Sequence, residues 1–475
     1  MKILYRLSTL LILVLAVSAC AFYPKSEVPL PDELPEHYVE QGERSGEAEP
    51  VERWWEQFGD PQLNELMDVM FRQNLELEQS FARLQQVRST VKSVRSGFFP
   101  GINAEGQAGQ SMQPTAAGDF TGESYQFSGA AAYELDLWGK IASRAKSAGK
   151  GYEASMGELK TLYLGLSAQL AELYYLAVEQ RTQIALTDET IDSFSATLES
   201  VEERYRLGVV PAIDIYRARQ SLTAAEANRH LFAANLATAE HAIAVLLGQY
   251  PDRGQGGELA ILPTTPEAFP AGLPSELVGR RPDLQAALRM IEAADADVAA
   301  AIADRFPSIN LIGSYGFTSQ DFASGLIEGD FWSFLGNITM PIFDAGRRRA
   351  EVDRNKAVAR ERVAAYQQAV LNAFREVEDA LAANRQTELR IASLIETGKA
   401  TAATLRLSLD RYNYGITDYL PVLTAQRNNF DAQSRLLSAR RQLISARISL
   451  ARALGGEWMT EEINKRHAAK QDDES

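Results

Sequence analysis

The sequence predicts a mainly α-helical chain that also carries membrane-grade β-strands, built as an internal two-fold repeat. Three observations lead there. The second half repeats the first at a spacing of 207 residues, four short segments alternate apolar and polar side chains, and long proline-free stretches between them have helical composition.

The repeat is fixed by several motifs. Asn74-Leu75-Glu76-Leu77 answers Arg281-Pro282-Asp283-Leu284, and Phe99-Pro100-Gly101-Ile102-Asn103 answers Phe306-Pro307-Ser308-Ile309-Asn310. Arg204-Tyr205, Gly208 and Ala218 answer Arg411-Tyr412, Gly415 and Ala425 at the same offset. Solenoid units run roughly 20 to 50 residues, so this is an architectural half duplicated, not a solenoid.

In chain order, residues 1–19 read as a secretory signal: Lys2 and Arg6, then the apolar run Leu10 to Val17, too short for a bilayer span of about 20 residues. Cys20 is the chain's single cysteine, which excludes an internal disulfide and any thiolate cluster. Its setting, Val17-Ser18-Ala19-Cys20, resembles a bacterial lipobox, which implies cleavage before Cys20 and a covalent lipid on it. Ala21 in the next position implies sorting to the outer membrane. Several acyl chains on one residue would anchor more firmly than the marginal grip of one.

Removing Lys2 and Arg6 leaves 46 basic against 63 acidic residues, and so acidic a surface repels nucleic acid. No apolar stretch of 18 or more residues follows Cys20, so a membrane crossing has to use strands.

Residues 20–53, rich in Pro, Glu and Gly, are expected to form an extended tether. The first structural repeat is placed at 54–250, a connector at 251–267, the second repeat at 268–457 and a polar tail at 458–475. Leu63 to Val94 has no proline or glycine and reads as one long helix. Strands are expected at about 101–112 and 124–137, where Tyr125, Phe127, Tyr133 and Leu135 oppose Gln126, Ser128, Glu134 and Asp136. Pro114, Gly118 and Gly122 mark the stretch between as a loop. The second pair is expected at about 307–319 and 331–343, with Trp332, Phe334, Ile338, Met340 and Ile342 on one face and a loop at Gly325 and Gly329 before them.

Residues 152 to 207, if continuous, would make a helix of about 84 Å. Val363, Tyr366, Val370, Phe374, Val377 and Leu381 keep the spacing of a packed helical seam. Helices of this length must pack laterally against others.

Four strands in lipid leave two edges of unpaired backbone, which only further copies of the chain can satisfy. Two copies give eight strands and a filled interior; three or four leave a lumen, which the carboxylates Glu105, Glu134 and Asp136 suit. The competing reading is a soluble α+β protein with a half-buried sheet. Export signal, lipid site and strand length favour the barrel.

Trp54-Trp55-Glu56-Gln57-Phe58-Gly59-Asp60-Pro61-Gln62-Leu63-Asn64, Gly272-Leu273-Pro274-Ser275-Glu276-Leu277, Arg280-Arg281-Pro282-Asp283-Leu284 and Pro341-Ile342-Phe343-Asp344-Ala345-Gly346-Arg347 resemble, in this order, motifs of the TolC-like outer-membrane efflux lipoproteins of the NodT type. The resemblance implies a homotrimer: a twelve-stranded outer-membrane β-barrel, four strands per chain, continued by a long periplasmic α-helical barrel. It also implies a passive duct docked to a periplasmic adaptor and an inner-membrane pump of the resistance-nodulation-division class. A type I protein secretion duct is the alternative, and a periplasmic coiled-coil scaffold a more distant one.

The resemblance places Arg204, Tyr205, Gly208 and Val209, with Arg411, Tyr412, Gly415 and Ile416, at two hairpin tips that meet the adaptor. Independently, each glycine fits a helix C-terminus that needs positive φ, and Pro211 suits the start of the next helix. The resemblance further implies a periplasmic gate: Leu420 fits its apolar ring, while Pro421 and Thr424 stand where aspartates are frequent. Asp418 is then either a gate carboxylate or the N-cap of the following helix. Asp214 follows Gly208 by the spacing at which Pro421 follows Gly415, so the tips are expected to differ.

No HExxH or Walker motif occurs, and His37, His230, His241 and His467 are scattered, so neither an enzyme nor a metal or other cofactor is expected beyond the lipid on Cys20.

Overall fold

The structure is a computed structural model that describes residues 26–27, 35–40, 52–115, 118–251, 257, 259 and 261–473. The signal segment, Cys20 and most of the tether lie outside the described residues.

After a 3-10 turn at Trp54–Phe58, the elements are α1 (Pro61–Gln73), α2 (Leu75–Arg95), β1 (Gly101–Thr115), β2 (Gly118–Leu135), α3 (Lys140–Arg206) and α4 (Ala212–Leu246). The second half supplies α5 (Pro274–Arg280), α6 (Pro282–Ala303), β3 (Ser308–Phe322), β4 (Gly325–Thr339), α7 (Arg347–Asn413), α8 (Tyr419–Leu454) and α9 (Met459–Asp473). Contacts group the chain into two compact units, each drawing on both halves of the sequence.

The first unit holds one antiparallel sheet in the order β1-β2-β3-β4. Its register aligns Gly106, Phe127 and Phe317 on one face, and Ala104, Gly129, Tyr315 and Trp332 beside them. The opposite face aligns Gln107, Gln126 and Thr318, and Asn103, Ala130, Ser314 and Ser333, the two serine hydroxyls 2.7 Å apart. One face is therefore aromatic and the other hydroxylic and amide-rich. Tyr125, Phe127, Tyr315, Trp332 and Phe334 remain exposed.

Both expected loops are strand. β1 runs to Thr115 and β2 starts at Gly118, while β3 runs to Phe322 and β4 starts at Gly325, so each hairpin is tight. Gly118 and Gly325, 207 apart, sit at φ 117° and 123°, where their lack of a Cβ lets the chain reverse. Glycine marked tight reversal, not a long loop. β4 correspondingly ends at Thr339, before Met340 and Ile342.

An aspartate ends each strand pair and starts a long helix. Asp136 lies past β2 and accepts from the amides of Ile141 (2.9 Å) and Ala142 (2.7 Å). It is thus a helix cap and not a lumen carboxylate, whereas Glu134, within β2, pairs with Lys140 at 2.5 Å. Asp344 accepts from the amides of Gly346 (3.1 Å) and Arg348 (3.3 Å) at the start of α7. Capped in this way, α3 begins at Lys140, twelve residues before the predicted start. Ser26 donates from its amide (2.8 Å) and hydroxyl (2.5 Å) to Asp295 of α6.

The second unit is built around aromatic packing. Trp55 meets Trp458 edge-on at 4.8 Å, with Phe71, Phe58, Tyr163 and Tyr175 around them. The Trp-Trp motif is therefore a core motif. Gly59 at φ 64° and Asp60, which accepts from the amides of Gln62 and Leu63, start α1 behind it. Tyr38 is buried against Phe374, and Glu378 accepts the amides of Val39 (2.7 Å) and Glu40 (3.1 Å), so this short piece of the predicted tether is docked. Along α7 the buried seam runs Tyr366, Val370, Ala373, Val377, Ala380 and Asn384. The predicted polar tail is α9, held by buried Met459, Ile463 and Arg466; Arg466 donates to Phe71 O at 2.7 Å.

The single helix predicted over 63–94 is two helices, because Asn74 interrupts it in extended conformation (φ −61°, ψ 126°). Its side-chain oxygen accepts from Glu76 N and Leu77 N, both at 2.9 Å, and its amide donates to Leu246 O at 2.8 Å. Arg281, its repeat counterpart, breaks the chain between α5 and α6 and donates to Ala453 O, 207 residues from Leu246. Helix propensity over 63–94 lost to a buried hydrogen-bond node that no local pattern reveals. Replacing Asn74 with Ala removes an N-cap and leaves the Leu246 carbonyl buried without its donor. The expected loss is about 2–4 kcal/mol, read as a lower unfolding midpoint and faster hydrogen exchange at the Leu77 amide.

Candidate functional site: the two hairpin tips

Both tips belong to the second unit. At the first, α3 ends and Gly208 sits at φ 72°, with Gly208 N donating to Tyr205 O and Val209 N to Arg204 O, both at 2.9 Å. At the second, Gly415 sits at φ 70°, with Gly415 N donating to Tyr412 O (3.0 Å) and Ile416 N to Arg411 O (2.8 Å). These paired bonds close the helix ends as a glycine-dependent C-cap does, and the two tips share one backbone solution.

Their side chains part company. Tyr412 is buried while its counterpart Tyr205 is exposed, and Arg204 turns inward while Arg411 stays exposed. The Arg204 guanidinium lies 4.1 Å from the centre of the Tyr412 ring and donates to Tyr412 O (3.0 Å) and Asn413 O (3.4 Å). A cation thus sits on the carbonyl end of α7, where the helix dipole favours it, and on an aromatic face.

Beneath it, Val201, Ala218, Tyr412, Tyr419, Val422 and Leu423 form a small core that fastens the two tips together. Asp214 is buried there and pairs with Arg217 at 3.3 Å. Burial pushes the Tyr412 phenol up and the Tyr419 phenol to about 12, so both are neutral at physiological pH. The Tyr412 hydroxyl has no hydrogen-bond partner among the described residues.

Asp418 occupies the N-cap position of α8 in extended conformation, but its side chain makes no capping hydrogen bond. Leu420 is half exposed in the first turn of α8. The structure adds two residues that the motif reading passed over, Ile213 and Tyr216, and exposes Leu207 and Tyr414 of the tip motifs beside Val209 and Ile416. The signal was available, since Leu207 and Tyr414, Val209 and Ile416, and Ile213 and Leu420 are repeat counterparts. Small, shallow depressions apart, no described cavity here encloses a ligand, and no metal-holding acidic or histidine group occurs among the described residues.

A four-stranded sheet with one aromatic face, joined to paired long helical hairpins in duplicate, defines a channel subunit. The chain belongs to the outer membrane efflux protein family, whose model matches residues 66–249 and 273–456, two stretches set apart by the repeat offset. It is an outer-membrane channel of a tripartite efflux system, and its family is one of ducts, not enzymes. The toluene efflux pump outer membrane protein TtgC of Pseudomonas putida is 31% identical over 444 residues, 92% of each chain. The outer membrane protein OprJ of Pseudomonas aeruginosa is 32% identical over 462 residues, 94% of this chain and 95% of that one. Among solved structures, the outer-membrane channel OprN aligns with a TM-score of 0.84 at 30% identity, covering 93% of this chain and all of the other. The open-state MtrE channel of Neisseria gonorrhoeae aligns at 0.77 and 28% identity, covering 92% and 98%. The fold is that of the TolC-like trimeric channels: mainly helical, with a four-stranded antiparallel sheet and a two-fold repeat.

Arg204→Ala removes charged hydrogen bonds to two carbonyls at the end of α7, each worth about 1.5–3 kcal/mol to a charged donor. Hydrogen exchange over residues 410–416 should rise in this variant while exchange in the four strands stays as in the parent. Equal exchange at the tips of both proteins would show that the contact carries no stability.

Proposed function

We propose that three copies of the chain close a twelve-stranded barrel in the outer membrane and conduct efflux substrates passively, the driving energy coming from an inner-membrane pump. The observation that carries this reading is the sheet: among the described residues β1 pairs only with β2 and β4 only with β3, and one face is aromatic while the other is polar. In hydrocarbon each unpaired backbone group costs several kcal/mol, so both edges must find strands. With twelve strands the polar face lines a lumen.

The tips are proposed as the docking surface for the periplasmic adaptor. Tyr205, Gly208, Val209, Arg411, Gly415 and Ile416 face outward in it, Arg204 and Tyr412 hold it together from beneath, and the exposed apolar side chains around the two glycines supply a contact surface that water alone does not explain. Asp418 and Leu420 are proposed as part of the periplasmic gate, and Cys20 as the lipid-bearing residue that anchors the protein. The names of TtgC and of the solvent efflux pump protein SrpC of Pseudomonas putida point to small, apolar substrates.

Purified in detergent, the protein should run as a trimer with mixed helix and strand circular dichroism. A Cys20→Ser variant that is monomeric and soluble without detergent would sink the barrel reading. Gly208→Trp and Gly415→Trp should each insert normally yet lower resistance to an exported solvent to the level of a strain lacking the channel. Unchanged resistance in both would remove the tips as the docking surface.

A further inference from the structure

We infer that each copy binds the anionic headgroups of membrane phospholipid at a basic patch where α2 ends and α3 begins. The inference rests on the barrel reading above and adds to it a lipid site that belongs to the first half alone.

The chain carries a net charge of −15, yet residues 79–104 and 137–152 contain no acid. These stretches hold the greater part of α2, the start of β1 and the first turns of α3. Along α2, Val87, Val91 and Val94 form a half-buried row. Arg88, Lys92 and Arg95 each stand one position later, about 100° round the helix, and are exposed. Gly97 sets the end of this segment against α3, since a Cβ there would lie 3.3 Å from Ile141 Cγ2. On α3, Arg144 and Lys146 are exposed as well.

None of these five cations pairs with an acid among the described residues, whereas their neighbours Lys140 and Lys150 do, with Glu134 at 2.5 Å and with Glu153 and Glu292 at 2.8 and 3.0 Å. Helix stability does not account for the patch. The helix dipole favours Lys92 and Arg95 in the last turn of α2 but fades before Arg88, and at the start of α3 its sign is wrong for Arg144 and Lys146.

The repeat acts as an internal control. At the offset of 207, Arg88, Lys92, Arg95, Arg144 and Lys146 answer Asp295, Ala299, Ile302, Glu351 and Asp353. The second half builds the same junctions, α6 into β3 and β4 into α7, without any of these cations. The architecture therefore does not require them. Asp295, the counterpart of Arg88, instead accepts from Ser26 of the tether.

Position selects the ligand. Past Arg95 the chain runs through exposed Phe98 and Phe99 into β1, where Ile102 is 78% exposed on the aromatic face. Arg88 to Arg95 spans about 10 Å of helix, and a headgroup layer is about 5–8 Å deep outside the hydrocarbon core. Long basic side chains reach along such a layer with their charges in water. Cations directly beyond an aromatic belt meet phosphate, and Lys and Arg at a membrane surface are drawn to anionic lipid.

Native mass spectrometry of the full-length trimer in detergent, titrated with dioleoyl phosphatidylglycerol or dioleoyl phosphatidylcholine, tests the site. The parent should bind phosphatidylglycerol about 100-fold more tightly, a preference that shrinks as salt is raised. Arg88→Gln with Lys92→Gln and Arg95→Gln should abolish the preference. Arg375→Gln with Lys399→Gln and Arg406→Gln, the same change of charge elsewhere, should keep it. Should the first triple variant fail to assemble, Arg88→Gln alone decides, with an expected loss of about fivefold. No preference in the parent, or its loss in both triple variants, overturns the proposal. So does a first variant that keeps the preference and only alters ion conductance in planar bilayers, which would put the row in the lumen. A trimer without lipid preference overturns the patch alone, whereas a parent that is monomeric in detergent overturns the barrel reading.

Discussion

Main-chain pairing between β2 and β3 is the constraint on which the rest of this structure depends. It runs from Ser124 with Gln320 to Leu135 with Ile309 and is the one place where the two duplicated halves share a sheet. Because side chains alternate along a strand, fixing this register also fixes which face of all four strands is aromatic and which is polar. Edges that remain open inherit the same logic, since lipid offers no hydrogen bonds to a bare backbone. Asp136 and Asp344 then turn each strand pair into a long helix by holding the first amides of α3 and α7.

Duplication also explains how the tips can be alike in backbone and different in chemistry. The glycine-closed turn at Gly208 and at Gly415 uses the same two hydrogen bonds, so the path of the chain is insensitive to the side chains around it. Selection could therefore send Arg204 and Tyr412 inward and Tyr205 and Arg411 outward without altering either turn. The buried contact fastens one tip to the other, and the outward residues are left for partners.

Much of this was legible in the residues. Alternation gave the strands and their faces, and proline-free helical composition gave α3 and α7. The glycine-bearing repeats gave the tips. Where the sequence misled, a nonlocal partner decided the outcome. Asn74 looks like any helix residue until its amide meets the Leu246 carbonyl, far along the chain. Pro114, Gly118 and Gly122 look like a loop until β2 folds back on β1 and, at Gly122, crowds against Asp321. The C-terminal residues look like a solvated tail, yet Met459, Ile463 and Arg466 share one face and bury it. At the tips, motif matching found the turns but missed Ile213 and Tyr216, because apolar exposure is a property of the folded surface and not of a motif.

The node that Asn74 and Arg281 occupy has a further consequence. Each side chain serves the same carbonyl position, Leu246 in one half and Ala453 in the other. Asn74 does so as a neutral amide. Arg281 does so as a cation clamped by Asp283 at 2.8 and 3.0 Å and by Glu376 at 2.7 Å. Neutral hydrogen bonds are nearly indifferent to ionic strength, whereas ion pairs are screened by it. Two chain breaks with one geometry therefore rest on different chemistry, a neutral amide at Asn74 and an ion-paired guanidinium at Arg281.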